Sequence, residues 1–280
     1  MMRPNMLALI NSEVWRLSRS RQAQAFVLAA FALMLVTVCS SSDEQDALLF
    51  MVAGDNPNRV GGAIGFIGNL IDGNDVAGSA ARTSTSMVFT ILWIPLVIVY
   101  AVAVTSHDYV SASYDVAKAR GISDISLAIA KCATHGALIC LCFVVFSGIS
   151  FICKLIQYAG VVSWEGMSRF AVPAALGAIL LAVLFVETFS LFHLTRSAIA
   201  ASVVSIVLSL LVLALFPSAY GDGTGPWSPL LYLSPVFYLM NVCALCFRSV
   251  GASEALSYSA IAAFAAMLVS VGALKVREAL

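Results

Sequence analysis

The chain has 280 residues, of which 61% are hydrophobic and only 11% are charged, and its formal net charge is zero. A soluble domain carries about 25% charged residues, so this composition excludes a water-covered globular protein and indicates that lipid covers much of the surface. The zero net charge argues against a nucleic-acid partner, which calls for a basic patch.

Six apolar runs predict a single-domain, all-α polytopic membrane protein over residues 1–280. A transmembrane helix needs about 20 mostly apolar residues to cross about 30 Å of hydrocarbon. Only helices and closed barrels satisfy every backbone group there. The first run is predicted to be retained, because no small-residue cleavage site follows it. The runs lie near residues 23–39, 87–105, 128–152, 171–192, 197–216 and 255–274.

Basic residues in the connections predict which side of the membrane each connection faces. With the N-terminus in the cytoplasm, the inner segments hold ten Lys and Arg residues and the outer segments hold five. We therefore expect both termini in the cytoplasm.

The first 22 residues predict a helix that lies along the inner leaflet. Leu7, Ile10, Val14 and Leu17 recur at helical spacing, and charged residues fill other positions. Such a pattern is typical of an amphipathic interfacial helix.

Two long connections are predicted outside the membrane. Residues 40–86 form a glycine-rich external loop. Residues 217–254 are apolar and aromatic but interrupted by four prolines, which a continuous helix tolerates poorly. We expect short external or re-entrant helices there, between spans five and six, with Trp227, Tyr232 and Tyr238 in an interfacial belt.

Charge is concentrated in the predicted cytoplasmic connection, residues 106–127. Its stretch DVAKARGISD holds Asp115, Lys118, Arg120 and Asp124 within ten residues. These side chains cannot all be buried, so the connection is predicted to present a charged surface. A solvated loop that follows the positive-inside bias is the alternative.

The same stretch carries start and stop signals for helices. Residues 109–120 predict a short helix with Ser111 as its N-cap. Gly121 is placed to end that helix in a left-handed turn. Ser123 can then cap the next helix, so the segment is predicted to be a stiff elbow.

The stretch SHDYVSASYDVAKARGISDISLAIAK resembles the first cytoplasmic loop of ABC-2 type permeases, especially the bacteriocin-immunity or antimicrobial-peptide export branch. Members of that family carry, in this order, an acidic residue, a small residue with Ser or Thr, a helix ending in Arg-Gly-Ile-Ser, and a Lys in the next span. Asp124 stands where a basic residue is common. The matching positions are Asp108, Ser113, Arg120, Gly121, Ile122, Ser123 and Lys131.

The resemblance implies a permease subunit of a bacterial-type plasma membrane, which pairs with itself or a related permease and exports or extracts a hydrophobic or amphipathic substrate such as an antimicrobial peptide. Its elbow would be the coupling helix that docks on a separate ATP-binding cassette ATPase. ATP and Mg would belong to that partner, so this chain is expected to hold no cofactor and to be no enzyme. The coupling residues would be Asp108, Ser113, Asp115, Lys118, Arg120, Gly121, Ile122 and Ser123.

Motifs for other chemistry are missing from the sequence. It has no GxxxxGK[ST], HExxH or GxSxG pattern, so no catalytic residue is assigned. The CxxC formed by Cys243 and Cys246 lies in an apolar stretch with no second pair, so no metal site is expected.

Glu187 is an ionisable residue within the fourth run and is therefore a candidate intramembrane site. Its alternative is local pairing with His193 or Arg196. A secondary transporter or channel without an ATPase remains the alternative function, and it would need several such residues near mid-membrane. A scaffold or membrane enzyme without a partner ATPase is a third.

The predicted topology can be tested by labelling. In a cysteine-free background, Asn58→Cys should react with an impermeant maleimide in intact cells, because residues 40–86 are expected outside. Protection of that cysteine until the cells are broken would overturn the orientation.

Overall fold

A computed structural model of the protein describes residues 6–39, 90–111, 113–157, 164–222 and 234–244, together with residues 261 and 272. Within these ranges the chain is helical apart from short connections and contains no strand. The all-α fold class is therefore confirmed for the described residues. The helices are α1 Met6–Arg19, α2 Arg21–Cys39, α3 Thr90–Val110, α4 Ser113–Ala119, α5 Asp124–Gln157, α6 Trp164–Thr195, α7 Ala198–Asp222 and α8 Pro235–Ala244.

Three helices in the described part of the chain are long and apolar enough to cross a membrane. The qualifying segments are Leu92–Val110 in α3, Asp124–Ser150 in α5 and Ala174–Thr195 in α6. Arg21–Val36 in α2 and Ala198–Val212 in α7 are apolar but shorter. The sixth predicted run, 255–274, and the loop 40–86 lie outside the described ranges, apart from residues 261 and 272. Six spans therefore remain a prediction.

The three long helices pack side by side in alternating directions. Gly136 on α5 faces Ala182 on α6, and further along α5 the ring of Phe143 faces Gly177, nearer the start of α6. A Cβ at Gly177 would lie 3.3 Å from the Phe143 ring, so glycine allows the close approach there. Glycine and alanine at such contacts let membrane helices come together.

One apolar cluster joins six of the helices. Its fully buried members include Val97 and Ile98 on α3, Phe143 on α5, and Leu181 and Phe185 on α6. Residues from α2, α7 and α8 pack onto the same cluster. The cluster holds the helices in one arrangement, from which the charged elbow projects at one end.

Helices α6 and α7 form an antiparallel pair joined by a short connection. Arg196 ends α6 in a left-handed conformation, with φ 52°, and its N–H donates to the Phe192 carbonyl at 2.8 Å. The Ser197 hydroxyl accepts from the Ala200 N–H and caps α7. Two residues are therefore enough to reverse the chain.

Helix α3 is longer at its end than its apolar run predicted. It continues to Val110 because the charge of Asp108 is buried in an ion pair, so this charge does not force the helix to stop. The prediction that Ser111 is an N-cap is wrong. Its hydroxyl donates to the Asp108 carbonyl, and its N–H donates to the His107 carbonyl. Residues 106–127 thus include the end of α3 and the start of α5.

The segment 217–254 also differs from its prediction. Helix α7 passes through Pro217 to Asp222, so this proline does not end the helix. Helix α8 confirms a short helix in this segment; Pro235 occupies its first position and Ser234 caps it. Tyr238 is buried against the core rather than exposed in a belt. Trp227 and Tyr232 lie outside the described residues.

Candidate functional site

The elbow, which we define as residues 113–126, ends its first helix in a Schellman turn. Gly121 has φ +76°, and its N–H donates to the Lys118 carbonyl at 2.9 Å. The Ile122 N–H reaches back to the Ala117 carbonyl at 3.0 Å. These two bonds satisfy carbonyls that a helix end otherwise leaves open. The left-handed glycine stop predicted from the sequence is confirmed.

The second half of the elbow is fixed by a cap and by apolar packing. The Ser126 N–H donates to the Ser123 hydroxyl at 3.2 Å, which confirms Ser123 as the N-cap of α5. Beneath the turn, Ala117 and Ile122 pack on a small cluster whose buried members are Leu9, Leu127 and Ala130. Local bonds and packing therefore both define the angle of the elbow.

The outer face of the elbow is polar and exposed. Asp115, Lys118 and Arg120 are all exposed, and Val116 lies among them with half of its surface exposed. Lys118 Nζ lies 3.6 Å from Asp124 Oδ2 and spans the glycine turn. The structure therefore leaves three predicted coupling residues, Asp115, Lys118 and Arg120, exposed on the elbow.

Asp108 is the centre of a buried ion network that lies behind the elbow. Its Oδ2 accepts from Lys131 Nζ at 2.6 Å, and its Oδ1 accepts from Arg16 Nη2 at 2.9 Å. The Ser113 hydroxyl donates to the Asp108 carbonyl at 3.2 Å and lies 3.3 Å from Oδ1. Asp108 thereby connects α1, α3, α5 and the first residue of α4.

Glu13 completes the ion network, which we define as Glu13, Arg16, Asp108 and Lys131. Glu13 Oε2 lies 3.1 Å from Arg16 Nη2 and 3.9 Å from Lys131 Nζ. Two carboxylates and two cations make the network neutral. The side chains of Asp108 and Lys131 are 1% and 0% exposed. Keeping either charge buried without the other would cost several kcal/mol of desolvation, on the order given for buried ions.

The network gives α1 an inverted polarity. Glu13 is buried against the bundle, whereas Leu7 and Val14 are 68% and 49% exposed. Half of the apolar stripe predicted from the sequence is thus left exposed by the described residues, while Ile10 packs on the small cluster beneath the elbow. This orientation suits an interfacial helix, because the stripe is available to lipid while charged groups face the protein.

Depth along the helices places the network near the elbow end of the bundle. Asp108 is two residues from the end of α3, and Lys131 is seven residues, about 10 Å, after the start of α5. Helix α5 has 34 residues, and its length of about 51 Å exceeds the hydrocarbon thickness by about 20 Å. The first turns of α5 can therefore lie in the headgroup layer.

Two aromatic–histidine pairs extend the polar contacts between the helices. The Tyr100 hydroxyl lies 2.6 Å from His135 Nδ1 and joins α3 to α5. The Tyr109 hydroxyl lies 3.0 Å from His193 Nδ1 and joins α3 to α6. These contacts join α3 to two of its neighbours, α5 and α6, at different depths along the bundle.

Glu187 is half-buried on α6. Among the described residues, no ion pair joins it to Arg196 or His193, so the predicted local pairing is not found. His193 contacts Tyr109 instead. Glu187 also lies outside the ion network, and its role as an intramembrane site stays a prediction. The described residues hold no cluster of His, Cys, Asp or Glu that could bind a metal ion.

Sequence reasoning placed Asp108 and Lys131 in a family pattern but missed their pairing, and it assigned Glu13 and Arg16 only to a polar helix face. A signal was present: Lys131 lies in an apolar run and needs a counter-charge, and Asp108 ends the preceding run on the same side.

No known family model matches the chain, and no characterised protein matches its sequence. The resemblance to ABC-2 permeases therefore remains a hypothesis.

The ion network predicts a specific pattern of stability. Lys131→Met and Asp108→Asn should each destabilise the protein by about 3–5 kcal/mol, because each leaves the buried network with one uncompensated charge. The double variant restores neutrality and should regain a large part of that loss. The measurement is the monodisperse fraction after heating in detergent, followed by size-exclusion chromatography.

Lys118→Ala provides the matched control. It also removes a lysine from an ion pair, but its side chain is 70% exposed, and surface pairs contribute about 0–1 kcal/mol. Equal melting of Lys131→Met and Lys118→Ala would contradict a structural role for the buried network.

Proposed function

We propose that this chain is the membrane-spanning permease subunit of an ATP-driven ABC transporter, and that its elbow is the surface on which a separate ATPase docks. The observation that carries the proposal is a stiff, exposed, charged turn anchored to a buried ion network. A solvated loop needs neither a Schellman turn nor a buried anchor. Both features suit a segment that transmits movement.

The contacts of the elbow provide a route for that movement. A push on α4 reaches Asp108 through the Ser113 hydroxyl, and Asp108 bonds directly to Lys131 on α5. The same carboxylate bonds to Arg16, so α1 would move with the elbow. A partner that displaced the elbow would therefore act on three helices at once.

The partner and substrate follow from the proposed class. The partner would be an ATP-binding cassette subunit that holds ATP and Mg, and the permease would act as a homodimer or with a related permease. A plasma membrane with both termini in the cytoplasm would bring the elbow to the ATPase. The substrate is proposed to be hydrophobic or amphipathic, such as an antimicrobial peptide, with export or extraction as the direction.

Gly121 offers a test of the elbow that leaves its surface charges unchanged. A Cβ at Gly121 would meet no atom within 4 Å, so only the positive φ opposes a substitution. Gly121→Val should strain the turn by at least about 1–2 kcal/mol and weaken ATPase binding and substrate-stimulated ATP hydrolysis. Gly121→Asn is the matched control, since asparagine tolerates the left-handed region. ATPase binding and substrate-stimulated ATP hydrolysis are measured for both variants on the complex purified in mild detergent.

Arg120→Glu tests the charge of the same surface. A charge-assisted bond contributes about 1.5–3 kcal/mol, so its loss should weaken ATPase association by about 10- to 100-fold. Membrane levels should remain normal, because Arg120 is exposed and forms no ion pair within the described residues. If Arg120→Glu and Gly121→Val both bind and stimulate the ATPase as the parent does, the proposed docking role is wrong.

A secondary transporter is the second candidate, and buried polar groups favour it. Four buried polar residues lie within apolar helices: Tyr100, Asp108, Lys131 and His135. His135 lies about 16 Å along α5 from the start of that helix. Such groups can mark an ion or proton pathway. In proteoliposomes, transport driven by an imposed ion gradient without ATP would support this candidate and would contradict the ATP-driven one.

A further inference from the structure

A groove with apolar walls separates α2 from α3 at the end of the bundle near α1. Its volume is about 410 Å³, within the range of about 300–1,000 Å³ that is usual for ligand sites. Phe26 and Tyr100 form its floor, with ring centroids 4.4 Å apart and both rings buried. The small side chains of Ala25, Ala29 and Ala103 leave the space above that floor open.

The groove has one polar end, formed by Arg21 and Gln22. Arg21 is exposed, and no acidic side chain among the described residues lies within ion-pair distance of it. Two residues earlier, the Arg19 guanidinium lies 4.0 Å from the centre of the Trp15 ring, and both side chains are exposed. Arginine and tryptophan side chains of this kind are typical of the headgroup layer.

The dimensions of the groove suit a single acyl chain. Its α2 wall runs from Arg21 to Ala29, a rise of eight residue steps or about 12 Å. A single extended hydrocarbon chain is narrow enough to enter.

We propose that this groove binds one anionic phospholipid of the surrounding membrane, with an acyl chain along Phe26 and Tyr100 and its phosphate near Arg21. The walls match the hydrocarbon, and the Arg21 guanidinium, which has no acidic partner among the described residues, matches the negative headgroup. The site requires no ATPase and is independent of the function proposed above. Because the Tyr100 hydroxyl contacts His135, the floor of the groove also belongs to the α3–α5 contact.

Native mass spectrometry of the detergent-purified chain tests the proposal. The chain is mixed with equal amounts of phosphatidylglycerol and phosphatidylcholine that carry the same acyl chains. The parent should retain phosphatidylglycerol in preference. Arg21→Gln should reduce that preference about fivefold, the effect of one basic residue at an anionic surface, and Arg21→Lys should keep most of it. Ala29→Phe should reduce retention of both lipids by filling the groove.

The matched control is Arg120→Gln, which removes the same charge from the elbow and should leave lipid retention unchanged. Equal loss of phosphatidylglycerol preference in Arg21→Gln and Arg120→Gln would show a general charge effect and overturn the site. Equal retention of the two lipids by the parent would also overturn it. So would efficient cross-linking of an Ala25→Cys variant to residues 255–274 or to a second copy, since the groove would then be covered by protein.

Discussion

The salt bridge between Asp108 and Lys131 is the constraint on which the elbow end of the protein depends. Two opposite charges are almost fully buried at 2.6 Å, and removing either would leave the other in a poorly solvating environment. The positions of α3 and α5 are therefore fixed relative to each other at this level. Arg16 and Ser113 bond to the same residue, so the interfacial helix and the elbow share the anchor.

The elbow itself depends on interactions of shorter range. Its turn is set by Gly121 and its next helix by the Ser123 hydroxyl, and both residues act through hydrogen bonds within five positions. Such a turn would keep much of its shape wherever the chain placed it. What the bundle adds is an orientation, through the apolar contacts of Ile122 and the bonds of Ser113 to the carbonyl and carboxylate of Asp108. Stiffness and placement thus come from different parts of the sequence.

The range of each interaction explains which features could be predicted from the sequence. The apolar runs indicated the helices, and Gly121 and Ser123 predicted the elbow turn correctly, because both signals are local properties. The pairing of Arg16 with Asp108 spans 92 positions, and no periodicity reports such a contact. The end of α3 lies beyond its apolar run for the same reason, since the charge of Asp108 has a buried partner that no local pattern shows. The paths of residues 40–86 and 255–274 remain predictions.

The inverted polarity of α1 has a consequence for biogenesis. This helix is synthesised before α3 and α5, yet the partners of Glu13 and Arg16 outside α1 belong to those two helices, which emerge only after about ninety further residues. Until then the early helix can rest on the bilayer through its apolar stripe, with its charges in water. Its final docking must therefore be a late event in assembly, after the pair of spans that supplies Asp108 and Lys131 has entered the membrane.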